Sequence, residues 1–205
     1  MATDVKTIND NLRSFFDFKG KSVTHVGAGG GQIIDYAMDS KSVLALDNDE
    51  EAVRQLEQIV KTMDLKNVVV ETADILDSQT AADVVLFEFC LHEIANPLKA
   101  LRKGFELARD VVILDHATGS RWAWYTAETE KVKNSWSSVD SFNVVREKTY
   151  KAVQRFRGFS DLYDRIKILG EPSLTRISVF KDKTDIEIEM GYKLALISDE
   201  GKRPR

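Results

Sequence analysis

An apolar run that empties into a string of glycines constrains this chain more than anything else in it. Residues 23–32 read Val23-Thr24-His25-Val26-Gly27-Ala28-Gly29-Gly30-Gly31-Gln32, and Asp47 follows twenty residues after the first glycine, at the end of a second apolar run. A buried strand that ends this way turns sharply, and Gly27, Gly29 and Gly31 let its backbone come close to a ligand. An acidic side chain one strand over stands where a ribose presents two hydroxyls. Together they read as a cradle for a nucleoside-bearing ligand at the edge of a parallel sheet.

The rest of the pattern is consistent with that edge. Residues 22–26, 42–46, 68–72, 84–89 and 111–115 are short apolar runs expected as parallel strands. Between them, Ala52, Val53, Leu56, Ile59, Val60 and Met63 form one helical stripe, and Leu98, Leu101, Phe105 and Ala108 another. A helix is expected to start at residues 32–38, directly after the glycine turn. Val5, Ile8, Leu12, Phe15 and Phe16 mark an N-terminal helix within residues 1–20. Alternating strands and helices imply a doubly wound α/β sheet.

After Asp115 the pattern changes. Residues 117–142 are polar and aromatic and hold all three tryptophans, so residues 117–160 are expected to include a helical, aromatic cap inserted after the fifth strand. Val145, Val153, Phe156, Leu162, Tyr163 and Ile166 suggest a helix or two helices broken at Gly158. Residues 174–180 and 186–197 then read as a closing antiparallel hairpin, giving a mostly parallel seven-stranded sheet. The 205 residues are expected to form one domain.

Composition narrows the partners. A net charge of -4 and a pI near 5.5 argue against a nucleic-acid groove, which needs a concentrated basic face. The single Cys90 excludes an internal disulfide, and no apolar stretch is long enough for a bilayer. Residues 1–20 lack the apolar core of a signal peptide. The expectation is a cytoplasmic protein, monomer or homodimer, acting on a small molecule and binding neither membrane nor nucleic acid.

A dinucleotide site wants G-x-G-x-x-G, but Gln32 stands three residues past Gly29 and the third glycine falls at Gly31. That spacing favours a mononucleoside without a pyrophosphate. From Ser22 to Asp115 the chain resembles the class I S-adenosylmethionine (SAM) dependent methyltransferases. The loop from Gly27 through Ala28 and Gly29 to Gly31 resembles the family's glycine motif, and Asp47 its ribose-binding acid, with Asn48 beside the adenine. Asp74 and Ile75 resemble the segment that meets the adenine amino group and covers the ring. The run from Asp83 to Ile94, followed by Asn96 and Pro97, resembles the fourth-strand motif with its L-H-E continuation. The resemblance implies SAM as cofactor and methyl transfer as the activity.

One departure matters. Most members carry an acid two positions before the first glycine, where this chain has His25, expected as a core histidine bonded to backbone. Strand alternation puts Glu88 on the side of Val84 and Leu86 at the carboxyl end of its strand, so Glu88 is the candidate to accept the cofactor's charge. For proton removal from an acceptor the candidates are His116, ranked first for its neighbour Asp115, then His92 and Glu93.

Trp122, Trp124, Tyr125 and Trp136 fall within fifteen residues and are expected to wall the acceptor site. A zinc reading of Cys90, His92 and Glu93 fails on spacing, since H-E-x-x-H needs a histidine at Asn96; no metal is assigned. Asp115 and His116 leave a magnesium-assisted route open without supporting it. The N/D-P-P-Y/F signature is absent, which leaves O-, N- or S-methylation of a small molecule. A SAM-binding module without chemistry and a nicotinamide-dependent oxidoreductase are the alternatives.

Overall fold

The computed structural model describes residues 2–29 and 31–198, so Gly30 of the glycine run lies outside the described residues. In chain order the elements are β1 (Ala2–Thr3), α1 (Val5–Phe15), β2 (Ser22–Val26), β3 (Ser42–Asp47), α2 (Glu50–Thr62), β4 (Val68–Thr72), β5 (Val84–Glu88), α3 (Pro97–Leu107), β6 (Asp110–His116), α4 (Arg121–Tyr125), α5 (Thr129–Val139), β7 (Asn143–Gly158), α6 (Phe159–Ile166), α7 (Ser173–Ile177) and β8 (Thr184–Ser198). Local signals set the helix starts. The Asp49 side chain accepts the Glu51 and Ala52 N–H groups to cap α2, and Asn96 caps α3 ahead of Pro97.

The strands form one sheet in the order β1-β7-β8-β6-β5-β2-β3-β4. The block from β6 to β4 is parallel, while β8, β7 and β1 add antiparallel at the other end. This is the expected mostly parallel seven-stranded sheet, extended by the two-residue β1. The chain runs outward from β2 through β3 to β4, then returns to the far side of β2 with β5. The reversal leaves a crevice beyond the carboxyl ends of β2 and β5, where open α/β sheets bind ligands.

Pleat alternation sorts the core onto two faces. Val84, Leu86, Val112 and Leu114 pack with α1, α2, α4, α6 and α7, while Val85, Phe87, Val111 and Ile113 pack with α3 and α5. Glu88 continues the first set and His116 follows Leu114 on the same face.

Three expectations about local structure fail. Residues 32–38 hold only a 3-10 turn at Asp35–Met38 before β3 begins at Ser42. The α1 helix covers that region instead, with Asn9 donating to the Gln32 carbonyl at 3.0 Å and Arg13 paired to Asp39 at 2.6 Å. The helix expected around residues 145–166 is mostly β7; only Phe159–Ile166 is helical. In β7, Ala152, Gln154 and Phe156 are buried in alternation, a period of two that the exposed Val145 obscured. Residues 174–180 are not a strand but α7 and a 3-10 turn, so β8 pairs with β7, and α6 and α7 occupy the connection. The cap therefore ends near Val139, not at residue 160. Among the described residues no helix is long and apolar enough to cross a membrane.

Candidate active site

The crevice at the carboxyl edge is a cavity of about 780 Å³, the size of a small-ligand site. One end is built by β2, β3 and the segment after β4. Gly27 and Ala28 donate their N–H groups to the Leu46 carbonyl at 2.9 and 3.1 Å, tying the loop to β3. Asp47 closes it: one carboxylate oxygen accepts the Gly29 N–H at 2.8 Å and the other the Asp49 N–H at 3.0 Å. Asn48, Asp49, Asp74 and the buried Ile75 continue the wall, and Asp74 also holds the Leu76 N–H at 2.8 Å.

The three glycines turn out to do different things. All three have positive φ. A Cβ on Gly27 would lie 2.4 Å from Cβ of Cys90, and one on Gly31 would lie 2.7 Å from Cδ1 of Leu56, so these two serve close packing within the protein. A Cβ on Gly29 would meet nothing nearer than 3.7 Å, and Gly29 lines the cavity, as do Gly27 and Ala28. Gly31 lies outside the lining.

Beneath the loop runs a buried polar chain. The Tyr36 hydroxyl meets His25 Nδ1 at 2.9 Å, and His25 Nε2 lies 2.8 Å from Oε2 of Glu88. The second contact is an ion-pair approach without hydrogen-bond alignment, since neither atom has an aligned partner. His25 is thus a core histidine, but one held by side chains and not by backbone. Burial pushes the Glu88 carboxyl above its usual range, with His25 opposing and Asp47 adding to the rise. Burial raises the Tyr36 hydroxyl and the Cys90 thiol well above their ordinary values. The Cys90 Sγ contacts the Val26 carbonyl at 3.3 Å, and its raised pKa favours the protonated thiol.

At the other end, the turn after β5 meets the end of β6. Asp115 is fully buried and serves three donors: the His92 N–H at 3.0 Å, His92 Nδ1 at 2.6 Å and the His116 N–H at 2.7 Å. Asp115 therefore supports His92, and not the imidazole of its neighbour His116. Bonding at Nδ1 makes Nε2 of His92 the available lone pair. Burial pulls the His92 pKa down, but the hydrogen bond and charge of Asp115, helped by Glu128 and Glu93, outweigh it and raise it. His116 is pushed down to about 4 by burial, and its Nδ1 has no hydrogen-bond partner. At neutral pH His116 is an uncharged imidazole.

Glu128, absent from the sequence candidates, completes this group. Its carboxylate accepts the Thr126 hydroxyl and lies 3.9 Å from Nε2 of His92. Glu93 lies 4.0 Å from the same nitrogen, at the exposed rim. Phe89, in the left-handed region at φ 44°, packs its ring 5.1 Å from that of His116 between the two ends of the cleft. Nothing local in residues 126–130 signals Glu128; only the packing of the cap on β6 brings it in.

The aromatic residues divide. Trp122 lines the cavity, stacked at 5.8 Å on Phe156. The other three do not. Trp124 is exposed with Arg176 over its ring, Tyr125 is buried against Phe180, and Trp136 is buried on the opposite face of the sheet, donating its indole N–H to the His116 carbonyl at 2.6 Å. Helical periodicity turns their side chains to different sides of α4 and α5, so closeness in sequence does not bring them into one wall. Gln154, Met190, Arg165, Ile166, Ile168 and Leu169 complete the lining, contributed by β7, β8, α6 and the turn that follows α6.

Residues 17–158 match the model of a family described as a methyltransferase domain. No curated protein matches the chain in sequence. In structure it is similar to a candidate methyltransferase from Bacillus halodurans C-125, at 15% identity and a TM-score of 0.69 over 94% of this chain and 98% of that one. A SAM-dependent methyltransferase from Aquifex aeolicus superposes with a TM-score of 0.61 at 17% identity, covering 96% and 97% of the two chains. The magnesium protoporphyrin IX methyltransferase of Synechocystis PCC 6803 with bound S-adenosylhomocysteine (SAH) gives 0.60 at 13% identity, over 96% and 82%.

Proposed function

The chain belongs to the methyltransferase-domain family, and from that premise we propose that its crevice binds SAM and delivers the methyl group to a small-molecule acceptor held against His92, His116 and Glu128. The observation that carries this reading is the continuity of one cavity from the Asp47-braced glycine loop to that buried cluster.

The residues present fit the cofactor. Asp47 keeps free lone pairs after its two backbone bonds, because a carboxylate offers about four acceptor sites. Gly29 leaves space beside it, Ile75 gives a buried apolar surface for a base, and Asn48 and Asp74 stand within the same wall. Glu88 turns Oε2 to His25 and lines the crevice, so a cationic tail is drawn to its carboxylate, which replaces the acid missing at His25. When bound, the sulfonium supplies an activated methyl group.

What the chain contributes is position and proton handling. Displacement at a methyl carbon needs the reacting atoms in line and about 3–3.5 Å apart, with water kept out. Phe89 and Trp122 wall the space between the two ends of the cleft, and Met190, Ile166, Ile168 and Leu169 give an apolar surface on which an organic acceptor packs. A hydroxyl, amine or thiol that reacts must lose a proton, and the cluster is where that proton is handled. Asp115 orients His92 so that Nε2 faces the cluster; Glu93 at the rim offers a route to solvent. His116, neutral and buried, borders the acceptor. Protein and acceptor meet in the cytoplasm, with the chain as monomer or homodimer.

The test is direct. SAH should raise the melting temperature, by about 2.7 kcal/mol of stability at a hundred times its Kd. Incubation with methyl-deuterated SAM and panels of small phenols, amines and thiols should then label an acceptor by mass spectrometry. No stabilisation by SAH, with stabilisation by NAD, would overturn the proposal in favour of an oxidoreductase.

A further inference from the structure

We propose that His92, His116 and Glu128 form a binding site for a divalent transition-metal ion, with Asp115 as the outer-sphere residue that orients it. One ligand atom from each of the three lies within 4.8 Å of the others. Two imidazoles and a carboxylate are the ligand set of zinc, cobalt, iron and manganese sites, and three protein ligands facing a cavity leave a coordination position open.

Four observations converge. The gaps are too long for hydrogen bonds: His92 Nε2 is 3.9 Å from Glu128 and 4.0 Å from Glu93. The groups surround a space instead of closing it. Ligands about 2.0–2.2 Å from a four-coordinate ion sit roughly 3.4 Å apart, so side-chain shifts of about 1 Å complete the geometry. Asp115, bonded to Nδ1 of His92 at 2.6 Å, supplies the carboxylate–histidine pairing that fixes a metal-binding tautomer. His116 is buried and its Nδ1 has no hydrogen-bond partner, which leaves that nitrogen for an ion. Finally, Glu128, Asp115 and Glu93 place three carboxylates around the site, favouring a cation.

Cys90, His92 and Glu93 do not supply these ligands as one contiguous motif. The fold takes its ligands from three segments instead: the turn after β5, the end of β6 and the residue before α5. The proposal deepens the reading of this cluster as the acceptor's end of the cleft. An acceptor whose hydroxyl or amine ligates the ion would be held there and would lose its proton more readily.

The test uses the full chain, freed of metal by chelator and dialysis and titrated with Co2+ and then Zn2+ alone. The expected result is one equivalent of Co2+ with the intense visible bands of a four- or five-coordinate ion, displaced by Zn2+. His116→Ala and Glu128→Gln should each weaken binding by about tenfold or more, and Asp115→Asn by about tenfold. SAH binding to each variant reports an intact fold. Glu128→Gln, remote from the sheet core, keeps the test decisive should a histidine variant fail to fold. A Co2+ spectrum unchanged from the aqua ion, or variants that bind as tightly as the parent, would overturn the site. SAH binding without metal binding sinks the metal site and leaves methyl transfer standing; metal binding without SAH binding does the reverse.

Discussion

Asp47 carries two loads, and the substitution Asp47→Ala separates them. In the free protein its carboxylate braces the Gly29 N–H at 2.8 Å and the Asp49 N–H at 3.0 Å, holding the glycine loop to the start of α2. Hydrogen bonds to a charged group contribute about 1.5–3 kcal/mol when well buried. Asp47 is only half-buried, so the two bonds together are worth about 1–3 kcal/mol of stability. The remaining lone pairs are those the ribose uses, and their loss weakens SAH by a further 1–3 kcal/mol, roughly 5- to 150-fold in Kd. Isothermal titration with SAH, beside a urea melt of the free protein, measures both. Asp47→Asn keeps one acceptor oxygen and should recover part of the stability while leaving most of the affinity loss. An Asp47→Ala protein that is folded and binds SAH as tightly as the parent would refute both the placement of the ribose and the role of the loop.

Other outcomes follow from the same geometry. Glu88 has its pKa raised by burial, so its contribution to stability is present at low pH and is lost as pH rises through the folded value. Glu88→Gln should therefore raise the melting temperature of the free protein at neutral pH while weakening SAM. The parent should bind SAM more tightly as pH rises through the Glu88 titration, and the variant should lose that dependence; equal pH profiles would remove Glu88 from the cofactor site. Gly31→Ala drives a methyl against Leu56 at a φ of 72° and should destabilise by about 1–3 kcal/mol with little effect on SAH affinity per folded molecule. Gly29→Ala should lose affinity instead. Trp136→Phe removes the indole bond to the His116 carbonyl and should destabilise by about 1–3 kcal/mol in thermal denaturation, since a buried carbonyl is left without its donor.

What the sequence made legible is the half of the molecule where each residue answers to its neighbours. From Ser22 to His116 the inner strands β2, β5 and β6 are buried on both faces and read as apolar runs, and the glycine turn and Asp47 sit at the ends the topology assigns them. The other half depends on partners distant in sequence. Along β7, Arg146, Glu147, Lys148, Lys151, Arg155 and Arg157 face outward or pair with β8 and Asp4, and this charge masks the buried alternation of Ala152, Gln154 and Phe156. Residues 174–180 are apolar because α7 packs under the cap, not because they pair as a strand. The same limit governs the site. Asp47, Glu88 and His92 stand at strand ends that pattern alone locates. Glu128 is fixed by how α4 and α5 settle on the sheet, and Asp115 serves His92 instead of His116 because the turn after β5 folds back over β6.

The three bonds made by Asp115 tie the residue 92 turn and the tip of β6 into a single rigid body, whereas Glu128 arrives on a separate arm anchored through Thr126. Replacement of residues 117–142 can therefore exchange the roof and one donor while the His92 imidazole holds its aim. Diversity in what such an enzyme accepts should accumulate in that arm, leaving His92 and Asp115 as its unchanging floor.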